Sequence, residues 1–338
     1  MKSDTAGLLY NNAIYELNNY PYQLFGMKEK IKSLYRTLRY KQKSDHCSWA
    51  NALIAKGFWD LYNVTKKEDY FFIVKDYCNR VLCSKNDNLI VDDVLNAYLM
   101  ECVLSVEKNV TYERYTDQVY MFIEQAPRDI CESILYRPNV SDIIIIDSLG
   151  MICPFLFRYA DRKHNTNAKK SAEIQICNYL KYGMDMETKL PYHGYSLKNN
   201  IKVGIIGWGR AVGWLMVTLA DSFNYIKENE ELVDFTRQFV ENVKQYIRAD
   251  GSFSWQLVAK EGFGDSSATA MIGYGLSILD NNCNVILEQI NNYLINGIKN
   301  GKDTNCSGES GGYGVYSQNY GSFPWGTGSI LSFCSRYQ

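Results

Sequence analysis

The stretch IIIIDSLGMICPFL, residues 143–156, places a single acid, Asp147, between a run of isoleucines and a second apolar segment. Removing a carboxylate from water is costly unless it is paired or protonated. An acid in this setting therefore caps a helix, has a charged partner or keeps its proton. A kept proton suits a general acid, whereas capping of a helix that begins near Ser148 is the plainer interpretation. The stretch by itself slightly favours capping, so the choice depends on the rest of the chain.

The composition is that of a folded globular protein. Of the 338 residues, 46% are hydrophobic and 22% are charged, and the formal net charge is −1. This charge gives no attraction for a nucleic-acid backbone or an anionic membrane, so neither partner is expected. No apolar run is long enough to span a membrane and the N-terminus lacks an export-signal pattern, so we expect a cytoplasmic protein. The 27 tyrosines and 6 tryptophans exceed the needs of a core, which indicates aromatic rings at a surface or cavity.

Neither disulfide bonds nor a metal site is expected. The sequence has ten cysteines, but without a secretion signal we interpret them as reduced thiols. No pair has the CxxC spacing of a zinc site, since the nearest two are Cys78 and Cys83. The three histidines, His46, His164 and His193, are too few and too scattered to supply a ligand set.

Apolar spacing near 3.6 predicts helices along almost the whole chain. The first clear pair is a helical hairpin from Trp49 to Val81. Further helices are predicted over 28–40, 92–106, 112–125, 148–160, 168–182, 210–226, 231–247, 267–279, 285–298 and 327–333. Only 191–195, 201–207 and 251–258 could form short strands, so the chain is predicted to be all α.

The helical hairpins recur along the chain, which is typical of a solenoid or a closed ring. The C-terminal segment GSFPWGTGSILSF, residues 321–333, is apolar and does not resemble a polar capping repeat. No linker divides the chain, so we expect a single domain over residues 1–338. Whether this unit is a homo-oligomer is left open by the sequence.

Three segments carry candidate site residues. The loop GWGRAVGW, residues 207–214, sets Trp208, Arg210 and Trp214 around glycines at a helix start, which suits binding of an acidic sugar. His193 lies in PYHGYS, where a structural role is the commoner interpretation. Of Asp92 and Asp93 in IVDDVLNAY, one is expected to cap a helix and the other to serve chemistry, and a third acid, Asp265, is expected to be a cap.

An ordered set of segments resembles the unsaturated rhamnogalacturonyl and glucuronyl hydrolases, glycoside hydrolase families 105 and 88, and is closer to family 105. The segments run from about Trp49 to Leu331: CSWANAL, VDDVLNA, IIDSLGMICPFL, YHGYS, GWGRAVGW, GSFSWQL, DSSATAMIGYGL and PWGTGSILS. The resemblance implies an (α/α)6 barrel and a glycosidase that needs no metal or cofactor. Many members have a histidine where this chain has Val94, which implies different substrate contacts.

The resemblance also implies roles for individual residues. Asp147 matches the general acid and base, and Asp93 matches an assisting acid because Asn96 follows it by the family spacing. The residues that match substrate contacts are Trp49, His193, Trp208, Arg210, Trp214 and, more loosely, Trp325. The implied substrate is an oligosaccharide that ends in a 4,5-unsaturated uronic acid. Asp147 would protonate C4 of that sugar, and water would add at C5.

Three other functions remain open from the sequence. A glycan-binding or polysaccharide-assembly protein could retain the barrel without turnover, although the presence of both acids argues against it. A sugar epimerase on a similar ring would rely on paired histidines, which His46 and His164 do not provide. A purely structural helical repeat would have no reason to place Asp147, Arg210 and Trp214 together.

Overall fold

The computed structural model describes residues 5–19, 48–84 and 89–337. The helix predicted over 28–40 and His46 lie outside these ranges. The described residues form twelve α-helices and one short 3-10 helix, Val91–Asp93. The α-helices are α1 Thr5–Asn19, α2 Trp49–Thr65, α3 Glu68–Cys83, α4 Val94–Leu104, α5 Val110–Gln125, α6 Asp147–Lys163, α7 Thr166–Tyr182, α8 Gly209–Ile226, α9 Glu230–Lys244, α10 Ser266–Leu279, α11 Asn284–Asn296 and α12 Pro324–Arg336.

The helices form a closed double ring. The even-numbered helices pack in the order α2, α4, α6, α8, α10 and α12, and α12 returns to pack on α2. The odd-numbered helices lie outside and each packs on one or two inner neighbours. Inner helices such as α4 and α10 are buried along nearly their whole length, whereas outer helices such as α9 bury one face only. The fold is therefore the (α/α)6 barrel that the resemblance implied.

The ring closes where the first and last inner helices come into close contact. A Cβ added at Gly328 of α12 would lie 2.5 Å from the carbonyl of Leu53 in α2, and one added at Gly57 would lie 2.7 Å from the Gly328 carbonyl. These glycines let the two backbones meet without an intervening side chain. The apolar, glycine-rich C-terminal segment is thus the seam of the ring.

We expect Gly328→Ala to destabilise the protein by about 3 kcal/mol, because its methyl group would meet backbone atoms that cannot rotate away. Urea unfolding followed by circular dichroism measures the effect. Gly314→Ala is the matched control, since an added Cβ at Gly314 meets nothing within 4 Å. Equal stability of the two variants would show that the α2–α12 seam is not closely packed.

A group of buried charges also connects the inner helices. Lys56 Nζ in α2 lies 2.7 Å from Asp60 Oδ2 and 3.2 Å from Asp221 Oδ2 in α8. The Tyr274 hydroxyl in α10 donates to Asp221 Oδ1 at 2.5 Å. Because Lys56, Asp60 and Tyr274 are buried and the Asp221 side chain is only 6% exposed, each charge depends on the others for compensation. The cluster links three inner helices across the ring.

A small antiparallel sheet positions the start of α6. Strands β1 Ile144–Ile145, β2 Gly194–Ser196 and β3 Ile201–Val203 pair in that order, with Ile145 opposite Gly194. The Ile146 N–H then donates to the His193 carbonyl at 3.0 Å. Ile144 and Ile145 of the isoleucine run thus form a strand, and its pairing with β2 places Asp147 beside His193. Four further short strands form two pairs, β4 Ile298–Lys299 with β5 Lys302–Asp303 and β6 Cys306–Ser307 with β7 Tyr320–Gly321.

Most predicted helices are confirmed, with differences at their ends. The helix predicted from Asp92 begins as the 3-10 turn and becomes α-helical at Val94, and the helix predicted to reach Ile298 ends at Asn296. Helix α1 was not predicted. Residues 251–258 form isolated bridges through Ser254 and Gln256, without a regular strand. Within the described ranges, no helix is long and apolar enough to cross a membrane.

Candidate active site

Most of the candidate residues gather at one end of the barrel, because they lie at or just before the start of an inner helix. Asp147 and Trp49 are first residues of α6 and α2, and Arg210 and Trp325 are second residues of α8 and α12. Six helix N-termini at one end give a partly positive electrostatic field, which favours an anionic ligand. The contacts between these residues define the candidate site.

Asp147 does not cap α6. The residue before the helix is Ile146, and Asp147 itself begins the first turn. Its side chain is 18% exposed, and its Oδ2 atom lies 3.3 Å from His193 Nε2. Oδ2 is buried and forms no other hydrogen bond within the described part of the chain. The carboxyl group is thus directed at a histidine, and capping is excluded as its role.

His193 is held between Asp147 and an aromatic cluster. The imidazole is buried, and its Nδ1 lies 3.2 Å from the hydroxyl of Tyr316. The Trp208 ring centroid is 4.5 Å away, and the Tyr316 and Tyr313 rings are within 5.9 Å. Both nitrogens therefore face a polar atom while the ring faces are packed, which fixes the orientation of the imidazole.

Arg210 is buried beneath the aromatic cluster and is already hydrogen-bonded. Its Nη1 donates to the Ser307 carbonyl and hydroxyl at 2.9 and 2.6 Å, and its Nη2 donates to the Gly308 carbonyl at 2.8 Å. Asp265 Oδ2 lies 3.7 Å from Nη1. The Trp208 ring covers the guanidinium at 4.7 Å. Arg210 therefore holds the 307–308 turn in place and brings positive charge to the site.

Asp265 is a helix cap, as predicted. Its Oδ1 accepts from the Ser267 N–H at 2.9 Å and its Oδ2 accepts from the Ser307 hydroxyl at 2.6 Å. Because Asp265 is fully buried, its carboxylate depends on these donors and on Arg210 to compensate for the loss of water. The cap of α10 and the turn that carries Ser307 thus share a single buried acid.

A second aromatic group consists of Trp49, Trp325 and Phe323. Trp325 stacks on Trp49 at 5.3 Å and on Phe323 at 4.8 Å, and its indole N–H donates to the Ser307 carbonyl at 3.0 Å. Trp325 is buried, whereas Trp49 and Phe323 are half-buried. The exposed ring faces at this side of the site therefore belong to Trp49 and Phe323.

Trp214 lies away from this group, inside the ring of helices. It is 2% exposed, and a Cβ added at Gly150 of α6 would lie 2.3 Å from its indole. The glycine leaves the space that the indole fills between α6 and α8. The sugar contact predicted for Trp214 has no exposed ring face to use in this structure.

The two acids at the start of α4 have different partners. Asp93 Oδ2 accepts from the Ile90 N–H at 2.9 Å, which is a capping bond. Asp92 accepts from the Tyr136 hydroxyl at 2.8 Å and from Arg137 Nη2 at 2.7 Å. Burial, Asp92 and, more weakly, Asp147 raise the pKa of Tyr136, so this hydroxyl stays a donor at neutral pH. The network around Asp92 therefore adjoins Asp147.

A further buried acid, Asp303 of β5, lies beside the first residue of α10. Asp303 accepts from the Ser266 hydroxyl and from the Asn305 N–H. Burial raises its pKa from 3.8 to about 7, an effect that these bonds oppose. The folded protein therefore binds this proton more tightly than the unfolded chain does. The contribution of this proton to stability is complete below the pKa that Asp303 has in the unfolded chain. It is lost as the pH rises through the higher pKa of the folded protein.

We expect Asp303→Asn to stabilise the protein at about pH 8 by about 2 to 4 kcal/mol and to have little effect near pH 4, because the amide needs no proton. Thermal unfolding of both proteins across this pH range gives the comparison. A difference in melting temperature that is independent of pH would contradict a raised pKa.

Comparison with known families identifies the chain. The family model described as Glycosyl Hydrolase Family 88 matches residues 26–335. The chain belongs to glycosyl hydrolase family 88. This family 88 chain is therefore a glycoside hydrolase, and the resemblance to families 88 and 105 is confirmed.

Solved structures agree with the fold. A possible member of family 105 from Klebsiella pneumoniae has a TM-score of 0.88 at 15% identity, over 100% of this chain and 93% of that one. Another possible member of family 105, from Salmonella enterica, has a TM-score of 0.80 at 17% identity, over 86% of this chain and 82% of that one. The unsaturated glucuronyl hydrolase of Bacillus sp. GL1 has a TM-score of 0.68 at 16% identity, over 86% of each chain. At such low sequence identities, the similarity to these structures establishes the barrel fold alone.

Several residues of the site were not predicted from the sequence. Tyr136 and Arg137 lie in the segment before β1, and Tyr313 and Tyr316 lie in the loop between β6 and β7. The loop's glycines and tyrosines, GESGGYGVYSQNYGS over 308–322, were a signal for a binding loop. Nothing in their spacing indicated contact with His193.

Proposed function

We propose that this chain hydrolyses oligosaccharides that end in a 4,5-unsaturated uronic acid, by hydrating the double bond. The observation that carries the proposal is Asp147, which begins an inner helix and directs a buried oxygen at His193. The solved structure of an unsaturated glucuronyl hydrolase on the same barrel supports this substrate class. Family membership supports hydrolysis as the reaction.

The proposed chemistry begins with proton transfer from Asp147 to C4 of the unsaturated sugar. Positive charge then develops at C5 and on the ring oxygen, and water attacks C5 while the Asp147 carboxylate takes up its proton. The resulting hemiketal opens and releases the neighbouring sugar as an alcohol. One water is consumed and Asp147 regains its proton, so the step balances without a metal or cofactor.

The remaining residues are proposed to bind and orient the substrate. Trp49 and Phe323 offer aromatic faces for sugar rings. Trp208, Trp325 and Trp214 are buried and support the site from within, so the sugar contact predicted for Trp208 also has no exposed ring face. Arg210 and the six helix N-termini attract the uronate carboxylate, although Asp265 offsets part of the charge of Arg210. Asp93 is kept as the proposed assisting acid on the family resemblance alone, because its Oδ2 accepts the capping bond from the Ile90 N–H and Asp92 is the acid whose network adjoins Asp147.

Two wider expectations belong to the same proposal. The closed packing of α12 on α2 supports a single catalytic domain. A cytoplasmic location is proposed from the sequence, and the nine cysteines that the structure describes are free thiols. Oligosaccharides released outside the cell would then have to be imported before they reach the enzyme.

A panel of unsaturated uronyl disaccharides prepared with polysaccharide lyases tests the proposal. Turnover removes the C4–C5 double bond, so the ultraviolet absorbance of the substrate should fall with time. The corresponding saturated disaccharides are the control and should not react. Binding of the panel without any loss of absorbance would overturn hydrolysis and support a glycan-binding protein instead.

A further inference from the structure

The hydroxyl of Tyr316 meets three polar atoms at the back of the site. It lies 3.1 Å from the Ile205 nitrogen, 3.3 Å from the Tyr313 carbonyl oxygen and 3.2 Å from His193 Nδ1. Its ring packs against Trp208 at 5.3 Å and Trp255 at 6.3 Å. The hydroxyl is therefore fixed in position by contacts on every side.

The hydrogen-bonding capacity of these groups decides where the protons lie. The Ile205 N–H can only donate, so it takes one lone pair of the Tyr316 oxygen. The Tyr313 carbonyl can only accept, so it takes the hydroxyl proton. The remaining lone pair faces His193 Nδ1, and all three contacts are satisfied only when Nδ1 carries a proton.

The other nitrogen of His193 faces Asp147. With Nδ1 protonated, a neutral imidazole presents the lone pair of Nε2 to Asp147 Oδ2, 3.3 Å away. Two lone pairs at this distance repel, so a proton must lie between them. That proton has no second acceptor, because Oδ2 forms no other hydrogen bond within the described ranges.

We infer that Tyr316 is a positioning residue that fixes the tautomer of His193 and thereby keeps a proton on the Asp147–His193 pair. The inference rests on the proposed role of Asp147 as proton donor. Tyr316 itself acts only through His193. It would set the pH range in which the acid is ready to react.

Within the described ranges, the uncharged titratable groups around the pair are tyrosine hydroxyls. Tyr136 approaches from the segment before β1, Tyr179 from α7 and Tyr313 from the loop between β6 and β7. Burial, and then the charge of Asp147, raise the pKa of Tyr179, and burial also raises the pKa of Tyr316. The hydroxyls of Tyr136, Tyr179 and Tyr316 therefore remain protonated at neutral pH. The nearby charges, Asp92 with Arg137 and Arg210 with Asp265, are paired with each other.

The test is Tyr316→Phe, which keeps the ring and removes the acceptor of Nδ1–H. His193 can then adopt the Nε2–H tautomer, which donates to an ionised Asp147. The pair therefore loses its shared proton at a lower pH. We expect the basic limb of the kcat profile to move down by about one pH unit, the size of one net hydrogen bond, with KM little changed. Tyr159→Phe is the matched control, because its hydroxyl donates to Asp117 at 3.0 Å toward the C-terminal end of α6, away from His193, and its loss should leave the profile in place.

Nitrogen-15 NMR of the imidazoles gives a second readout that needs no turnover. With three histidines in the chain, His193 can be assigned from a His193→Gln variant. Native protein should show the Nδ1–H form or the imidazolium, and Tyr316→Phe should shift it to Nε2–H. An active enzyme with the same profile and tautomer in both proteins would overturn the inference and leave the proposed function intact. A tautomer change in a protein that hydrates no uronate would support the role of Tyr316 and overturn the function.

Discussion

Replacement of Asp147 by Asn is expected to lower kcat about 1,000-fold, the typical scale for loss of a general acid. The amide has the size of the carboxyl group but no proton acidic enough to transfer to C4. Helix α6 should still form, because Ile146 precedes the helix and Ser148 bonds the Ile145 carbonyl without help from Asp147. The unfolding free energy should change by less than about 1 kcal/mol. Steady-state kinetics on an unsaturated disaccharide and thermal unfolding measure the two effects.

Asp142→Asn is the control for this variant. Asp142 lies five residues upstream and accepts from the Ser196 hydroxyl and the Asn199 amide at 2.8 and 3.0 Å. It is a partly buried acid near the same sheet, but it has no contact with His193. We expect its loss to leave kcat nearly unchanged. Comparable turnover by Asp147→Asn and the native enzyme would exclude Asp147 as the proton donor.

Replacement of Arg210 by Ala is expected to have the second large effect, on both stability and binding. The change removes three hydrogen bonds to the 307–308 turn and leaves Asp265 buried without its cation. Loss of one partner from a buried pair costs about 3 to 5 kcal/mol of unfolding free energy. If Arg210 also attracts the uronate, affinity should fall by about 2 to 4 kcal/mol. Urea unfolding and calorimetric titration with an unsaturated disaccharide measure these two losses.

A double variant separates the two roles of Arg210. Asn at position 265 can still accept from the Ser267 N–H, but it carries no charge that needs a cation. Adding Asp265→Asn to Arg210→Ala should therefore recover about 2 kcal/mol of stability. Affinity for the uronate should not recover, since the guanidinium is still absent. Recovery of affinity together with stability would show that Arg210 acts on the substrate only by holding the turn.

The helical architecture was predictable because it depends on local spacing. The apolar period near 3.6 located most inner and outer helices to within a few residues. Helix α1 escaped prediction, and its buried residues include the polar Thr5, Asn12 and Glu16 beside Leu9 and Ala13. Tertiary packing buries these polar groups, and a pattern of apolar residues does not record that. The closed ring followed from the resemblance, since hairpin repetition alone also fits a solenoid.

The site was predictable only in part. Asp147 could be selected because an acid among isoleucines needs a local explanation, and Trp208 and Arg210 because they cluster in one loop. The pairing of Asp147 with His193 depends on β1 and β2, which join segments about 50 residues apart in the sequence, so no local pattern could indicate it. Trp214 was given a sugar contact because it lies in the same loop. One helical turn beyond Arg210 carries it into the packing against Gly150.

Local spacing was enough to predict helical hairpins with an acid at the start of one helix, because helix formation depends on residues close together in the chain. Tertiary structure decided which groups meet that acid. It brought His193, the residue before β2, and Tyr316, from a distant loop, next to the acid. It also placed Arg210 against Ser307 and Asp265. Protonation and hydrogen bonding depend on atoms within about 3 Å in space. Such distances are set by the closure of the ring and not by spacing along the chain.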